Sequence, residues 1–139
     1  MKSLNTLIRL QKKEIDELKR QKTLFEEKRE ECYQALSRLA DQLQFEMKTA
    51  QQMPDMAQFF GDFAASIKTG QEQINGLIRR TDKEIETLAQ RIQERFSEMK
   101  KYEITLENYK KREKEKIAKR DAQTMDDIAI NNYIRNHDA

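Results

Sequence analysis

The first half of the chain carries apolar residues at alternating steps of four and three, the spacing that keeps one stripe of a helix against a partner helix. This series begins at Leu4 and ends at Met53, and eleven of its fifteen positions are apolar. The residues between these positions are mostly Lys, Arg, Glu, Asp and Gln. The pattern predicts a first helix over about 3–52.

The only proline of the chain, Pro54, follows this series directly. Proline lacks a backbone donor and disfavours helical geometry in the residue before it, so the first helix should end by Met53. A second series runs from Met56 to Tyr109, and thirteen of its sixteen positions are apolar. The sequence therefore predicts a turn at about 53–55 and a second helix over about 56–120.

A turn this short makes two long helices antiparallel neighbours. Folding at Pro54 places residue i of the first helix near residue 108 − i of the second. The predicted fold is all-α, a long antiparallel two-helix coiled-coil hairpin with a C-terminal helical extension, in a single domain over 1–139. Thr124 and Asp127 form a possible capping box, which predicts a short helix or tail over about 124–135 that folds back or docks on a partner.

Composition agrees with an elongated helical protein, because 37% of residues are hydrophobic and 37% are charged. The formal net charge of +2 is nearly balanced and argues against nucleic-acid binding. A single cysteine, Cys32, fits a reducing compartment. We find neither a signal-peptide pattern at Met1–Leu4 nor an apolar run long enough to span a membrane, so we expect a cytoplasmic protein without membrane insertion.

No arrangement of residues in the sequence suggests catalysis, a cofactor or a metal site. His137 is the only histidine and stands close to the end of the chain, so we expect neither a metal cluster nor a Ser-His or Cys-His pair. Cys32 lies on the first apolar series, where a small buried side chain is favoured over a reactive thiol. We therefore expect a protein that is not an enzyme.

Three cations, Lys22, Arg29 and Arg95, interrupt the apolar series. Such residues either fix the register of the two helices or extend their charged ends into solvent.

Two surfaces are candidates for binding other proteins. Four of the six phenylalanines, Phe45, Phe59, Phe60 and Phe63, gather around the turn. Phe45 and Phe59 lie off the apolar series, so they either form a docking patch or pack locally. The basic stretch over 100–120 has nine basic and four acidic residues, and is either a solvated face or a surface for an acidic or ring-shaped partner.

The whole chain resembles the FliJ family, small coiled-coil proteins of the flagellar type III export apparatus that are related to the YscO-like proteins of injectisomes. The resemblance is carried by the length of about 140 residues and the N-terminal lead Met1–Leu10. It is also carried by the turn in mid-chain, the Phe-rich start of the second helix, and the C-terminal stretch 100–129.

The resemblance implies a protein similar to the central stalk of rotary ATPases, which promotes assembly and activity of a hexameric export ATPase. It further implies contact with the cytoplasmic domain of the export gate protein, escort of export chaperones, and peripheral association with the inner-membrane export apparatus. A monomer is expected. The implied ring end comprises Leu4, Ile8, Lys110, Lys111, Arg112, Lys116 and Arg120. The implied gate-binding patch, called the tip surface below, comprises Gln42, Phe45, Phe59 and Phe63.

Two other interpretations remain open at the level of sequence. In the first, the protein is a structural coiled-coil spacer or self-assembling adaptor, with the two apolar series paired between chains. In the second, the basic stretch binds nucleic acid with strong salt dependence, which the nearly neutral total charge disfavours.

Overall fold

The computed structural model describes residues 2–137, and within them the protein is entirely helical apart from Met53. Helix α1 spans Lys2–Gln52, a 3-10 turn spans Pro54–Met56, and helix α2 spans Ala57–His137. The all-α helical hairpin predicted from the apolar series is thereby confirmed. The ends of α1 and the start of α2 lie within one residue of the predicted positions.

The turn is formed by residues whose backbone suits a sharp reversal. Met53 adopts φ −124° and ψ 89°, outside the helical region that a following proline disfavours. Its amide donates to the carbonyl of Thr49, and the amide of Met56 donates to the carbonyl of Met53, both at 2.9 Å. Pro54 begins the 3-10 turn, where its missing amide hydrogen removes no helical hydrogen bond.

The chain divides into two compact units. The hairpin unit comprises 13–95 and contains the turn, and the terminal unit comprises 1–12 and 96–139. Whether these two units form one domain stays a prediction.

The core of the hairpin unit is a single thin seam. Six residues are buried there, and every one of them lies on a predicted apolar series: Ile15, Cys32, Ile67, Ile78, Thr81 and Leu88. None of the described side chains is completely enclosed. Two helices alone cannot surround a side chain on all sides, so stability rests on this seam.

Two ion pairs between the helices show the register of the hairpin unit. Arg29 lies 3.0 Å from Asp82, and Arg95 lies 3.1 Å from Glu14, so the paired residue numbers sum to 111 and 109. A chain folded at Pro54 would give a sum of 108. The difference arises because the turn centres on Asp55, the middle of the 3-10 turn, instead of on Pro54.

Helix α2 departs from a strict heptad near its middle. Its seam takes two consecutive steps of four residues, from Gly70 to Ile74 and from Ile74 to Ile78. Such an interruption locally unwinds a coiled coil. At Gly70 the helices approach closely, since an added Cβ would lie 3.4 Å from Cδ1 of Leu39.

The predicted break before residue 124 is wrong, because α2 continues without interruption to His137. Thr124 does not cap a new helix. Its hydroxyl donates to the carbonyl of Arg120 at 2.9 Å, a bond within α2. Residues 110–137, called the C-terminal segment below, are exposed apart from the half-buried Glu113, so the segment does not fold back as one of the two predictions proposed.

Candidate functional site: two protein-docking surfaces

The tip surface exposes its aromatic side chains to different degrees. Phe45 is 68% exposed and Phe59 is 58% exposed, far above what local packing would leave. Gln42 is also exposed, whereas Phe63 is half-buried at a seam position. Two of the four residues are therefore large apolar groups that are open to a partner.

The structure does not bring these four residues into one site. Gln42 and Phe45, three residues apart and so on one side of α1, line an open groove of about 600 Å³. Phe59 and Phe63, four residues apart on α2, line a smaller cavity of about 150 Å³ together with Phe60. Each pair shares a helix face, but the pairs belong to separate concavities.

The open groove has further lining residues that were not predicted from the sequence as part of a binding surface. Ala35, Leu39 and Ile74 supply apolar lining, and Arg38 and Asp41 line the groove with opposite charges. The groove includes Ile74, the residue between the two consecutive steps of four in α2. That irregular spacing, together with the small side chain of Ala35, was the available signal for a gap in the seam.

Methionines extend the apolar surface near the turn, and they too were missed. Met47, Met53 and Met56 are 43%, 57% and 47% exposed. Methionine is flexible and polarizable, so it adapts to partners of different shape. Counting Phe45 and Phe59, five large apolar side chains near the turn are therefore open to solvent.

The residues assigned to the ring end fall into two groups. Lys110, Lys111, Arg112, Lys116 and Arg120 are exposed on α2, whereas Leu4 and Ile8 are half-buried on α1. Among the five cations, only Lys116 has a carboxylate within ion-pair distance in the described part, Glu113 at 3.8 Å. The cations are therefore available to an external acidic partner, and Leu4 and Ile8 serve mainly in packing.

Other apolar residues of the terminal unit are more exposed than Leu4 and Ile8. Leu10 is 56% exposed, Ile104 is 48% exposed and Tyr109 is 40% exposed. Leu10 and Ile104 lie off the apolar series, so they were not predicted from the sequence as binding residues.

The three cations on the seams form ion pairs within the chain. Arg29 pairs with Asp82 and Arg95 with Glu14, as described above, and Lys22 lies 3.1 Å from Glu26. Arg29 donates a hydrogen bond to the carboxylate of Asp82, and this bond raises the pKa of Arg29. Arg29 and Arg95 therefore join the two helices in their observed register, whereas the Lys22 pair lies within α1, and all three side chains stay partly in solvent.

Between residues 2 and 137, no cluster of three or more His, Cys, Asp or Glu side chains is placed to hold a metal ion. Cys32 is buried in the hairpin seam. His137 stacks on Tyr133 with ring centroids 3.9 Å apart, and its Nδ1 lies 2.9 Å from the Tyr133 carbonyl oxygen, an interaction local to the last turn of α2.

A comparison with protein families supplies the decisive observation. The sequence profile described as "Flagellar FliJ protein" matches residues 1–138. The chain belongs to the FliJ family. The family resemblance that the sequence suggested is thereby confirmed. The FliJ family is a non-enzymatic component of flagellar protein export, so membership implies a role in flagellar export for this chain.

Comparison with curated proteins and with solved structures finds no match to this chain. In the described residues of this FliJ-family chain, no helix is both long enough and apolar enough to cross a membrane.

Proposed function

We propose that this FliJ-family protein is a stalk-like regulator of the flagellar export ATPase. In this proposal it works as a monomer in the cytoplasm at the inner-membrane export apparatus. The C-terminal segment enters or contacts the hexameric ATPase ring, the tip surface contacts the cytoplasmic domain of the export gate protein, and the protein also assists export chaperones. The observation that carries the proposal is the exposed run of basic residues at 110–120, which α1 does not cover.

The charge of this run supports a ring partner with acidic loops. Residues 110–120 hold seven basic and two acidic side chains on a continuous helix, so their potential extends beyond contact distance. Complementary charge of this kind mainly accelerates and orients association. Stable binding then requires apolar contacts, which Leu10, Ile104 and Tyr109 offer in the terminal unit.

The ring contact is tested by measuring ATP hydrolysis and hexamer formation of the cognate export ATPase with purified protein. We expect the wild type to increase both, and the triple variant Lys110→Gln, Lys111→Gln, Arg112→Gln to do so only at several-fold higher concentration. The loss should be largest at low salt, where charges are least screened.

A matched variant neutralises three exposed cations of the hairpin unit, Arg79→Gln, Arg80→Gln and Lys83→Gln. It removes the same charge at a position to which no partner is assigned, so it should behave as wild type. If the wild-type protein leaves hydrolysis and assembly unchanged, the stalk-like role is wrong. If both triple variants are equally impaired, the effect is one of total charge and the assignment to 110–112 fails.

The gate contact is tested by the binding of the purified cytoplasmic domain of the gate protein. Phe45→Ala and Phe59→Ala each remove an exposed aromatic ring, and truncating an aromatic anchor typically weakens binding by about tenfold or more. Tyr33→Ala removes a ring that is 48% exposed but lies away from both concavities, and it should bind as wild type. Unchanged binding by both phenylalanine variants would exclude the tip surface as the gate-binding site.

The alternative of a spacer whose apolar series pair between chains has no comparable support. In the structure the two series pair within one chain, with Arg29–Asp82 and Glu14–Arg95 joining α1 to α2.

A further inference from the structure

The C-terminal segment has two halves of opposite charge. Residues 110–120 hold seven basic and two acidic side chains, whereas residues 121–137 hold three acidic and one basic. The division falls between Arg120 and Asp121, in the middle of one continuous helix. A helix with this arrangement is complementary to a copy of itself that runs in the opposite direction.

Large apolar residues accompany this charge pattern and are left open to solvent. Met125 is 68% exposed, Tyr133 is 63% exposed and Ile130 is 56% exposed. Three exposed alanines share one face of the helix with Met125: Ala118, Ala122 and Ala129. The spacing Ala118, Ala122, Met125, Ala129 alternates four, three and four residues, as a helix-packing stripe does.

We propose that the C-terminal segment pairs with the same segment of a second copy of this chain, as an antiparallel two-helix coiled coil with twofold symmetry. Centring the pair between Gln123 and Thr124 places Ala118 opposite Ala129 of the second copy, and Ala122 opposite Met125. In that register Lys119, which flanks the stripe, faces Asp126 of the second copy. Twofold symmetry repeats this ion pair on the other side.

The charge pattern of the segment favours a second copy of the same segment as its partner, and it favours the antiparallel arrangement. A parallel pair would place basic half against basic half, which is repulsive. A uniformly acidic helix would suit residues 110–120 but would meet Asp121, Asp126 and Asp127 with like charge. Only a partner with the reverse order of charges satisfies both halves, and the same segment turned around has that order.

The pairing has a consequence that rests on the proposed function. Two of the cations assigned to the ATPase ring, Lys111 and Arg112, lie seven residues before Ala118 and Lys119 and so face the second copy, which would make dimer formation and ring contact exclude each other. The free protein would then keep these two cations and Met125 covered until a ring is present. The hairpin unit forms within one chain in either state.

The experiment is sedimentation equilibrium of the full chain over a wide concentration series at low salt. We expect a reversible monomer–dimer equilibrium that weakens as salt is added. Lys119→Glu alone and Asp126→Lys alone should each raise the dissociation constant about tenfold, because each replaces two attractive pairs with two repulsive ones. The double variant should return close to the wild-type constant, since it restores both pairs with reversed sign.

Rescue by the double variant cannot come from a contact within one chain. Residues 119 and 126 are seven apart on α2, about 10 Å along the helix axis and beyond direct ion-pair distance. Arg120→Glu and Asp127→Lys serve as controls, because they make the same charge changes one residue further on, on the outer side of the proposed pair. Both should leave the dissociation constant nearly unchanged, and circular dichroism should show the same helix content in every variant.

The proposal is overturned if the wild type remains monomeric at the highest concentration reached. It is also overturned if the double variant is as weak as the single variants, or if the controls weaken the dimer equally. A dimer whose dissociation constant is unchanged by all of these substitutions would pair through another surface, which also overturns the proposal. None of these outcomes depends on the ATPase, so failure here leaves the proposed ring contact untouched.

Discussion

At the level of single residues, the position on the apolar series decides how deeply a side chain is buried and therefore how much it contributes to stability. Leu88 and Leu24 have the same side chain on the same hairpin unit, yet Leu88 is 4% exposed and Leu24 is 57% exposed. Leu88 is a seam position, and Leu24 faces away from the partner helix. Burial in this protein therefore follows from sequence position more than from residue type.

This contrast gives a direct prediction for stability. Leu88→Ala should lower the free energy of unfolding by about 2–3 kcal/mol, the low end for a buried leucine, because a two-helix seam can partly close over the lost side chain. Leu24→Ala should change it by less than about 0.5 kcal/mol. Urea unfolding followed by circular dichroism measures both. Equal effects of the two substitutions would mean that the seam at Leu88 is not the core.

Ion-pair partners were the residue-scale feature that the sequence left undetermined. Arg29 and Arg95 were identified as interruptions of the seam, but their partners Asp82 and Glu14 lie beside the opposite seam, not on it. A predicted register that is wrong by one to three residues is too coarse to identify a partner for a long side chain. The alternation of apolar positions, by contrast, predicted all six buried residues, because burial depends only on which face a residue occupies.

At the level of helices, the bounds of α1 and the start of α2 were predictable, and the end of α2 was not. Pro54 stops α1 by removing a donor and restricting Met53, which is a strong local signal. After Gly76 the chain contains neither Gly nor Pro, so nothing breaks α2 before the C-terminal residues. The Thr124 motif is compatible with a helix start, but its hydroxyl bonds equally well to the preceding turn of a continuing helix.

The glycines of α2 provide a prediction at this level. Gly61 has no atom within 4 Å of a would-be Cβ and has no positive φ, so Gly61→Ala should stabilise the protein by about 0.8–1 kcal/mol. Gly70→Ala should gain less, because its methyl group would lie 3.4 Å from Cδ1 of Leu39, at the limit of comfortable contact.

The same unfolding measurement separates the two glycine variants. Gly76→Ala is the matched control, since its nearest atom is the flexible end of Arg79 at 3.8 Å. We expect Gly61→Ala and Gly76→Ala to raise the free energy of unfolding by similar amounts, and Gly70→Ala to raise it by less. A larger gain at Gly70 than at Gly61 would show that the helices do not approach closely there.

At the level of the whole molecule, a nearly neutral total hides a strong separation of charge. The formal net charge is +2, yet residues 110–120 alone contribute five positive charges in excess and residues 121–137 two negative charges in excess. The total charge bears on solubility, whereas the local distribution decides which partners are attracted. Both proposed uses of the C-terminal segment, contact with a ring and pairing with a second copy, depend on that distribution.

Hydrogen exchange should distinguish the packed hairpin unit from the exposed C-terminal segment. Amides of the hairpin unit near Ile15, Ile78 and Leu88 lie beside buried side chains, so they should exchange slowly. Amides of the C-terminal segment belong to a helix without a packed face, which opens easily, so in dilute solution they should exchange much faster.

Raising the protein concentration distinguishes an open helix from one that finds a partner. If two C-terminal segments pair, protection should increase at residues 118–129 and leave the hairpin unit unchanged, because only the dimer covers that stripe. Lys119→Glu should abolish the increase and Arg120→Glu should preserve it. Strong protection of the segment at every concentration would contradict both expectations, since it would require a contact within the chain that the exposed side chains of 114–137 do not make.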